Sequence, residues 1–374
     1  MELITRREFL KKSPVFVGTL LFLPEVLIGK VSGYKYGFVE KKRARYYKKL
    51  ENGRVQCLLC PRKCVVSPGR RGGCRVRENI KGNYYTLVYG NPCAVHIDPI
   101  EKKPFFHFLP GTYALSVATA GCNFYCKYCQ NWEISQFPPE RTYNMALSPY
   151  ELVNMALKYR TPSIAYTYTE PSVFYEYMLD TSKIAYKRGI KNIYHSNGYL
   201  NQKPLKALIP YLSAANIDLK GFSERFYKSI AGGRLKPVLE TIKTLKKNKV
   251  WIEITNLIVP TKNDKDSMIR KMVKWIVNEL GPDVPIHFSR FYPMYKLKEL
   301  PPTPVRTLER AREIAIGEGM KFVYIGNVFG HEAENTYCPK CKRVLIRRKG
   351  YTIIENNIKN GRCRFCKEKI PGVW

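Results

Sequence analysis

The chain has 374 residues, 45% of them hydrophobic, which is ordinary for a globular protein with a sizeable core. Beyond its amino-terminal segment nothing is long and apolar enough to span a bilayer, so a bundle of membrane spans is excluded. Lys and Arg total 64 against 30 Asp and Glu, a formal net charge of +34, which suits either an acidic partner or a heavily solvated basic surface.

Residues 1–33 read as a signal or anchor. Thr5-Arg6-Arg7-Glu8-Phe9-Leu10-Lys11 matches the twin-arginine export pattern, and an apolar stretch from Val15 to Ile28 follows, broken by Pro24 and Glu25. Val31-Ser32-Gly33 is a poor cleavage site. The alternative is a basic amphipathic helix that is never exported. Localisation therefore stays open between the cytoplasm, export and tethering, with membrane contact through this segment. Twin-arginine export carries folded, cofactor-loaded proteins, and no outside source of low-potential electrons is evident.

Residues 34–111 read as a basic, aromatic linker (34–56) followed by a cysteine-rich region. Cys57, Cys60, Cys64 and Cys74 lie among Pro61, Pro68, Gly69, Gly72 and Gly73, loop chemistry suited to a metal knuckle. Zinc is the first expectation there and an auxiliary iron–sulfur cluster the second. The twelve cysteines fall into three clusters with metal-type spacing rather than a spread disulfide framework. Cys93 stands apart as a buried free thiol.

From 112 to 330 apolar runs alternate with helical stretches. Strands are predicted at 114–120, 163–168, 192–196, 215–219, 251–259, 286–291 and 322–325. Helices are predicted near 148–159, 172–188, 203–212, 235–248, 265–280 and 303–318, with Asp264 capping the fifth. This predicts an α/β chain with a parallel sheet, curled into a full or partial barrel whose working residues sit at the carboxyl ends of the strands.

The first of these strands leads into Cys122-Asn123-Phe124-Tyr125-Cys126-Lys127-Tyr128-Cys129. A four-iron cluster normally takes four thiolates. Three are offered, so one iron stays open to a small molecule. A zinc knuckle borrowing a distant fourth ligand is the competing expectation. From Tyr337 onward the rhythm ends, and residues 331–374 read as a zinc-ribbon-like segment. Cys338-x2-Cys341, twenty-one residues, and Cys363-x2-Cys366 read as a closed four-thiolate zinc site of structural role, against a redox dithiol pair.

The three-cysteine loop resembles that of the radical S-adenosylmethionine (SAM) superfamily, and the likeness extends from about residue 85 to 330. It is similar to the activating enzymes of glycyl radical enzymes, and more so to the radical SAM member of the AmmeMemoRadiSam group. The stretches that carry it are Asp98 to Pro104 with His107 to Gly111, Tyr166 to Pro171, Ser196 to Tyr199, and Ile217 to Gly221, with the flanking cysteine clusters and the final Pro371 to Trp374. The resemblance implies a (β/α)6-type radical SAM barrel with small cysteine-rich metal-binding extensions at both ends. It implies a [4Fe–4S] cluster on Cys122, Cys126 and Cys129. SAM would chelate the open iron and be cleaved to a hydrogen-abstracting 5′-deoxyadenosyl radical.

For the cofactor site the resemblance implies the aromatic Tyr128, Glu170 at the methionyl ammonium, the Asn197-Gly198 backbone close to the ligand, and Asn256 with Thr255 and Leu257 near adenine or ribose. Asp218 and Lys220 either pair with each other or meet the SAM carboxylate and ribose. His287, Arg290 and Tyr292 fall where substrate would enter, and no catalytic residue is assigned. Two departures from the glycyl radical activases stand out, His195 where an acidic residue is expected and Tyr295 near an expected His. Partners follow: a flavodoxin- or ferredoxin-like electron donor, and an acidic macromolecular substrate, protein favoured over nucleic acid. Nucleic-acid modification and a non-catalytic, zinc-stapled binding protein are the rival functions.

Overall fold

The structure is a computed structural model that describes residues 33–374, so the twin-arginine-like stretch lies outside the described residues. Its centre is an eight-stranded sheet: β1 (Ala94–Pro99), β2 (Tyr113–Ala118), β3 (Ser163–Tyr166), β4 (Lys191–Ser196), β5 (Ala214–Asp218), β6 (Trp251–Ile258), β7 (Ile286–Arg290) and β8 (Val323–Gly326). The strands pair strictly in chain order. From β2 onward every pairing is parallel, while β1 adds to β2 antiparallel, from Ala94 opposite Ala118 to Pro99 opposite Tyr113.

That order decides the architecture. Parallel crossovers are right-handed, so a sheet wound always in one direction puts all its helices on one face. A doubly wound sheet needs a reversal of order, and there is none. The other face must bury itself by curling. No ladder joins β8 back to β1 among the described strands, which makes this a partial barrel.

The connecting helices are α1 (Pro149–Lys158), α2 (Tyr175–Lys187), α3 (Gln202–Leu208), α4 (Leu235–Lys247), α5 (Asp266–Leu280) and α6 (Val305–Gly317). Each buries one stripe. In α4 it is Leu235, Val238, Ile242 and Leu245, at the three- and four-residue steps of a helix face. A capping box starts α1: Ser148 Oγ accepts from Glu151 N, and the Glu151 carboxylate accepts from Ser148 N at 2.7 Å, with Pro149 at the first position. The expected cap on α5 is corrected. Lys265 takes the cap position without a side-chain bond, and Asp264 Oδ2 instead accepts from Thr261 N at 2.9 Å. The turn with Thr261 at positive φ competes for that carboxylate and wins it.

The amino ends of the strands are plugged. Ile100, Phe105 and Phe108 pack on Ala114, Ala165, Ile193 and Ala214. Glu253 of β6 is fully buried and accepts from Phe106 N (3.0 Å), His107 N (2.8 Å), Trp251 Nε1 (3.1 Å) and His287 Nε2 (2.7 Å). The chain terminus docks on the same loop, with Val373 and His107 to Leu109 exchanging backbone bonds of 2.7 Å. The two end motifs noted in sequence, His107 to Gly111 and Pro371 to Trp374, thus meet at the closed end of the barrel.

Asp98 fastens this end from β1. It is buried and receives Lys102 Nζ at 2.8 Å, Lys103 Nζ at 2.6 Å and the Tyr168 hydroxyl. Burial alone would raise its carboxyl, but Lys103, Lys102 and Tyr168 together hold it below the usual carboxylate range. A depressed carboxylate stabilises the fold above its unfolded value, near 3.9, and that stabilisation is lost as pH falls below it. Asp98→Asn is therefore expected to flatten the acid limb of a Tm-against-pH curve below about pH 4. An unchanged limb would show that the clasp carries no such linkage.

The stretch read as a linker is structured. Tyr34–Tyr36 pairs with Tyr143–Met145, Lys42–Arg43 with Asn83–Thr86, and Tyr47–Lys49 with Val55–Cys57. A strand therefore does lead into Cys57. At the other end, Thr336–Tyr337, Val344–Lys349 and Thr352–Asn356 form a small antiparallel sheet. No described helix is long and apolar enough to cross a membrane.

Candidate active site

The open end of the barrel carries the polar groups. The loop after β2 holds Cys122, Cys126 and Cys129. Two of its amides, Tyr125 N and Lys127 N, donate to Ala231 O (2.9 Å) and Ile230 O (3.0 Å), so the loop is clamped on the segment before α4. Gly121 starts it at φ +93°, where a Cβ would lie 2.5 Å from Val76 and 2.7 Å from Cys74 O. Only glycine lets the loop lie this close to the amino-terminal cysteine region.

Each thiol has a polar neighbour. Phe124 N donates to Cys122 Sγ at 3.3 Å, and Cys129 Sγ lies 3.2 Å from Ser135 Oγ. Cys126 Sγ faces Ala231 O at 3.8 Å. Burial pushes all three thiols up, and Cys122 further, because Glu170, Cys126 and Cys129 would place negative charge beside it. Such a set sheds its protons when it binds a cation. The buried Tyr128 hydroxyl lies against Cys126, and at the end of β6 Asn256 Oδ1 is buried without a hydrogen-bond partner. Three buried or half-buried thiols on one loop, with buried polar groups at the strand ends that follow, fit a thiolate-bound cluster with an adjoining polar ligand. Cys93 is apart from this set, its Sγ against Ala118 O at 3.6 Å.

Glu170, just past β3, is 2% exposed rather than a surface acid. Its Oε1 accepts from Ser172 N (3.0 Å), Ser172 Oγ and Ser196 Oγ (2.7 Å), and its Oε2 from Asn197 N (2.9 Å). Burial raises its carboxyl, and the Ser172, Asn197 and Ser196 donors act against that rise. Glu170 therefore braces the end of β4 against the end of β3.

Asn197 is the hub. Its Nδ2 donates to Asn123 Oδ1 at 2.8 Å and stands 4.0 Å from Cys122 Sγ, while Oδ1 accepts from Tyr199 N at 2.9 Å. Gly198 has φ +69°, and a Cβ there would meet Ile217 at 3.1 Å and Val238 at 3.2 Å, so conformation and core packing by themselves already require glycine. Gly198→Ala is expected to cost about 1–3 kcal/mol in thermal denaturation while leaving iron content unchanged. Lost iron in a folded variant would favour the ligand reading instead.

Asp218, at the end of β5, takes Lys220 Nζ at 2.9 Å and His195 Nε2 at 3.3 Å. Burial would raise this carboxyl, but Lys220 and His195 hold it below the usual range. Burial opposes the charge on Lys220 too, yet Asp218, Tyr128 and Cys126 keep it well above the ordinary lysine value. Lys220 Nζ lies 5.9 Å from the centre of the Tyr128 ring. The Asp218–Lys220 pair thus links the cysteine loop to His195, the first of the two departures. Asn256 Nδ2 donates to Leu219 O at 2.6 Å, and Thr255 Oγ1 to Asn216 Oδ1 at 2.8 Å.

His287 does not face this space. It is 2% exposed, bound to Glu253 and stacked on Tyr324 at 5.0 Å, in the plug. It lies early enough in β7 to point into the packed end. Arg290 binds Thr303 O and Tyr292, and the Tyr292 hydroxyl donates to Asn327 O. The loop beyond does reach the site: Lys296 N donates to Lys127 O at 2.8 Å, and Tyr295 stacks on Trp132 at 5.3 Å. Sequence reasoning missed Asn123, Ser135, Ser196 and Trp132. Asn123 and Ser196 sit inside motifs already noted, and position within the motif was the available signal.

The sequence model of the radical SAM superfamily matches residues 116–276, from within β2 into α5. The chain is 50% identical over 334 residues to the uncharacterized protein MJ0808 of Methanocaldococcus jannaschii, covering 89% of this chain and 99% of that one. It is 25% identical over 168 residues to the pyruvate formate-lyase-activating enzyme of Clostridium pasteurianum, covering 42% and 67%. Among solved structures it is similar to Streptococcus suis SuiB bound to precursor peptide SuiA, at 11% identity and a TM-score of 0.47, covering 62% and 52%. With three cysteines on the loop after the first parallel strand and polar side chains at the strand ends that follow, this chain belongs to the radical SAM superfamily and is similar to the pyruvate formate-lyase activating enzymes.

Proposed function

We propose that the protein is a hydrogen-abstracting radical SAM enzyme acting on a protein or peptide, with Cys122, Cys126 and Cys129 as the ligands of its [4Fe–4S] cluster. The supporting observation is the coordination count: three thiols on one clamped loop, with Cys93 turned to Ala118 O. Bound there, the cluster and SAM would supply a 5′-deoxyadenosyl radical from reductive cleavage, with methionine as coproduct and the electron drawn from a low-potential donor protein.

The chain's own residues position and enclose. Asn197 and Asn123 order the backbone beside Cys122. Asn256 Oδ1 is buried without a hydrogen-bond partner and would accept from a polar ligand. Lys220 supplies a positive charge beside Cys126, and Tyr295 stacks on Trp132 just after the cysteine loop. A protein substrate is favoured because the activating enzyme among the relatives acts on a protein, and an acidic one because of the +34 charge. The AmmeMemoRadiSam likeness belongs to the same reading. Anaerobic, reconstituted protein reduced with dithionite should convert SAM to 5′-deoxyadenosine. A fully loaded sample that produces none would end the proposal.

The reading includes a zinc ion at the other end. Cys338, Cys341, Cys363 and Cys366 gather their sulfurs within 4.8 Å of one another, with Cys338–Cys366 at 3.5 Å and Cys341–Cys363 at 3.8 Å. A Zn–S bond near 2.3 Å puts thiolates about 3.8 Å apart around a tetrahedral ion. Mild chelation should release about one zinc per chain and open residues 331–374 to protease, with the barrel's iron retained.

A further inference from the structure

We propose that Cys57, Cys60, Cys64 and Cys74 hold a second [4Fe–4S] cluster, closed by four thiolates and packed against the loop of Cys122 to Cys129. The spacing separates this from zinc. Among the described residues, the carboxy-terminal quartet is the group whose sulfurs close to the distances of a single ion. The amino-terminal quartet does not gather so tightly. Its sulfurs instead line a pocket shared with Arg77, Tyr84 and Asn123. A cubane needs this wider stance, since each thiolate binds a different iron at a different corner.

The pocket is also furnished for sulfur. Arg77 is 1% exposed; its Nη2 binds Glu176, but Nε and Nη1 have no partner. The Tyr84 hydroxyl is likewise fully buried and unpartnered. Both residues line the pocket, and unpaired donors of this kind are rare in an interior unless an acceptor is missing. Thiolate and inorganic sulfur are such acceptors. Gly73 N already donates to Cys64 Sγ at 3.5 Å. At Gly72 a Cβ would lie 2.8 Å from the Tyr84 hydroxyl, so a side chain there would fill the space.

Placement gives the site its consequence. Arg62, between Cys60 and Cys64, donates to Asn123 O at 2.9 Å and to Gly232 O. Tyr125 donates to Gly73 O at 2.8 Å. Asn123, next in the chain after Cys122, lines the pocket itself. The two cysteine loops are thus bonded to each other directly. With all four irons ligated by protein, the second cluster exchanges single electrons and cannot bind SAM.

The test is metal analysis of the full chain, reconstituted anaerobically with iron and sulfide. Wild type should hold about eight irons and eight sulfides, with zinc only at the carboxy-terminal site. The Cys122→Ala/Cys126→Ala/Cys129→Ala variant should keep about four irons and show, after dithionite reduction, an electron paramagnetic resonance signal that SAM does not alter. A variant with no iron, with or without a second zinc, overturns the proposal. If that variant does not fold, the wild-type total decides between about eight irons and about four. A wild-type signal that never responds to SAM would instead undo the proposed function and leave this inference standing.

Discussion

Alanine at any one of Cys122, Cys126 or Cys129 should reduce 5′-deoxyadenosine formation to background and lower the iron content by about four per chain. The ligand set is already one thiolate short of the usual four, so removing another leaves two anchors for a cubane. The loop itself should persist. Its clamp consists of backbone bonds from Tyr125 and Lys127 to Ala231 and Ile230, none of which uses a thiol. Circular dichroism should therefore remain native while iron, sulfide and activity fall together. Cys93→Ala serves as the matched control, since its thiol faces Ala118 O, and it should leave both unchanged. Full SAM cleavage by any of the three loop variants would remove the coordination argument altogether.

Glu253→Ala should destabilise the fold by about 3–5 kcal/mol, because it removes one partner of a fully buried ionic group and strands the others. Four donors converge on that carboxylate: two loop amides, the Trp251 indole and His287. Burial would raise its carboxyl, yet His287, His107 and the Phe106 amide hold it below the usual value, so it is charged in the folded chain. With the carboxylate gone, two buried amides have no acceptor at the point where the plug enters the barrel. At roughly 2 °C per kcal/mol for a chain of this size, Tm should fall by about 6–10 °C. Glu253→Gln keeps two or three of the acceptor contacts and should lose less. A Tm within about 1 °C of wild type for the alanine variant would mean the plug is held by its aromatic packing alone.

The strand and helix order was readable because each element carries its own periodicity and caps. The predicted elements fall within a few residues of those found, and the missed cap at Asp264 came from a local competitor, the turn at Thr261. The loops that carry Cys122 to Cys129, Glu170 and Asn197 do follow the carboxyl ends of their strands. The direction of single side chains was not readable. His287 and Arg290 lie three residues apart on β7, yet one points into the plug and the other toward the rim. Nor was the packing at Gly198 readable, where Ile217 and Val238, remote in sequence, leave no room for a side chain.

The amino-acid sequence by itself determined the ligand count on the central loop, the alternation that builds the sheet and the pairing of cysteines into quartets. These are local properties, fixed by spacing along a few residues of backbone. Only the tertiary structure decided which groups share a space: Glu170 with Ser196 and Asn197, Asp218 with His195, Arg62 with Asn123, and one cysteine quartet drawn tight while the other stands wide. The side-chain meetings join residues 23 to 61 positions apart in the chain. Their strength comes from desolvation and from donors left with or without acceptors, and neither exists until the chain has packed.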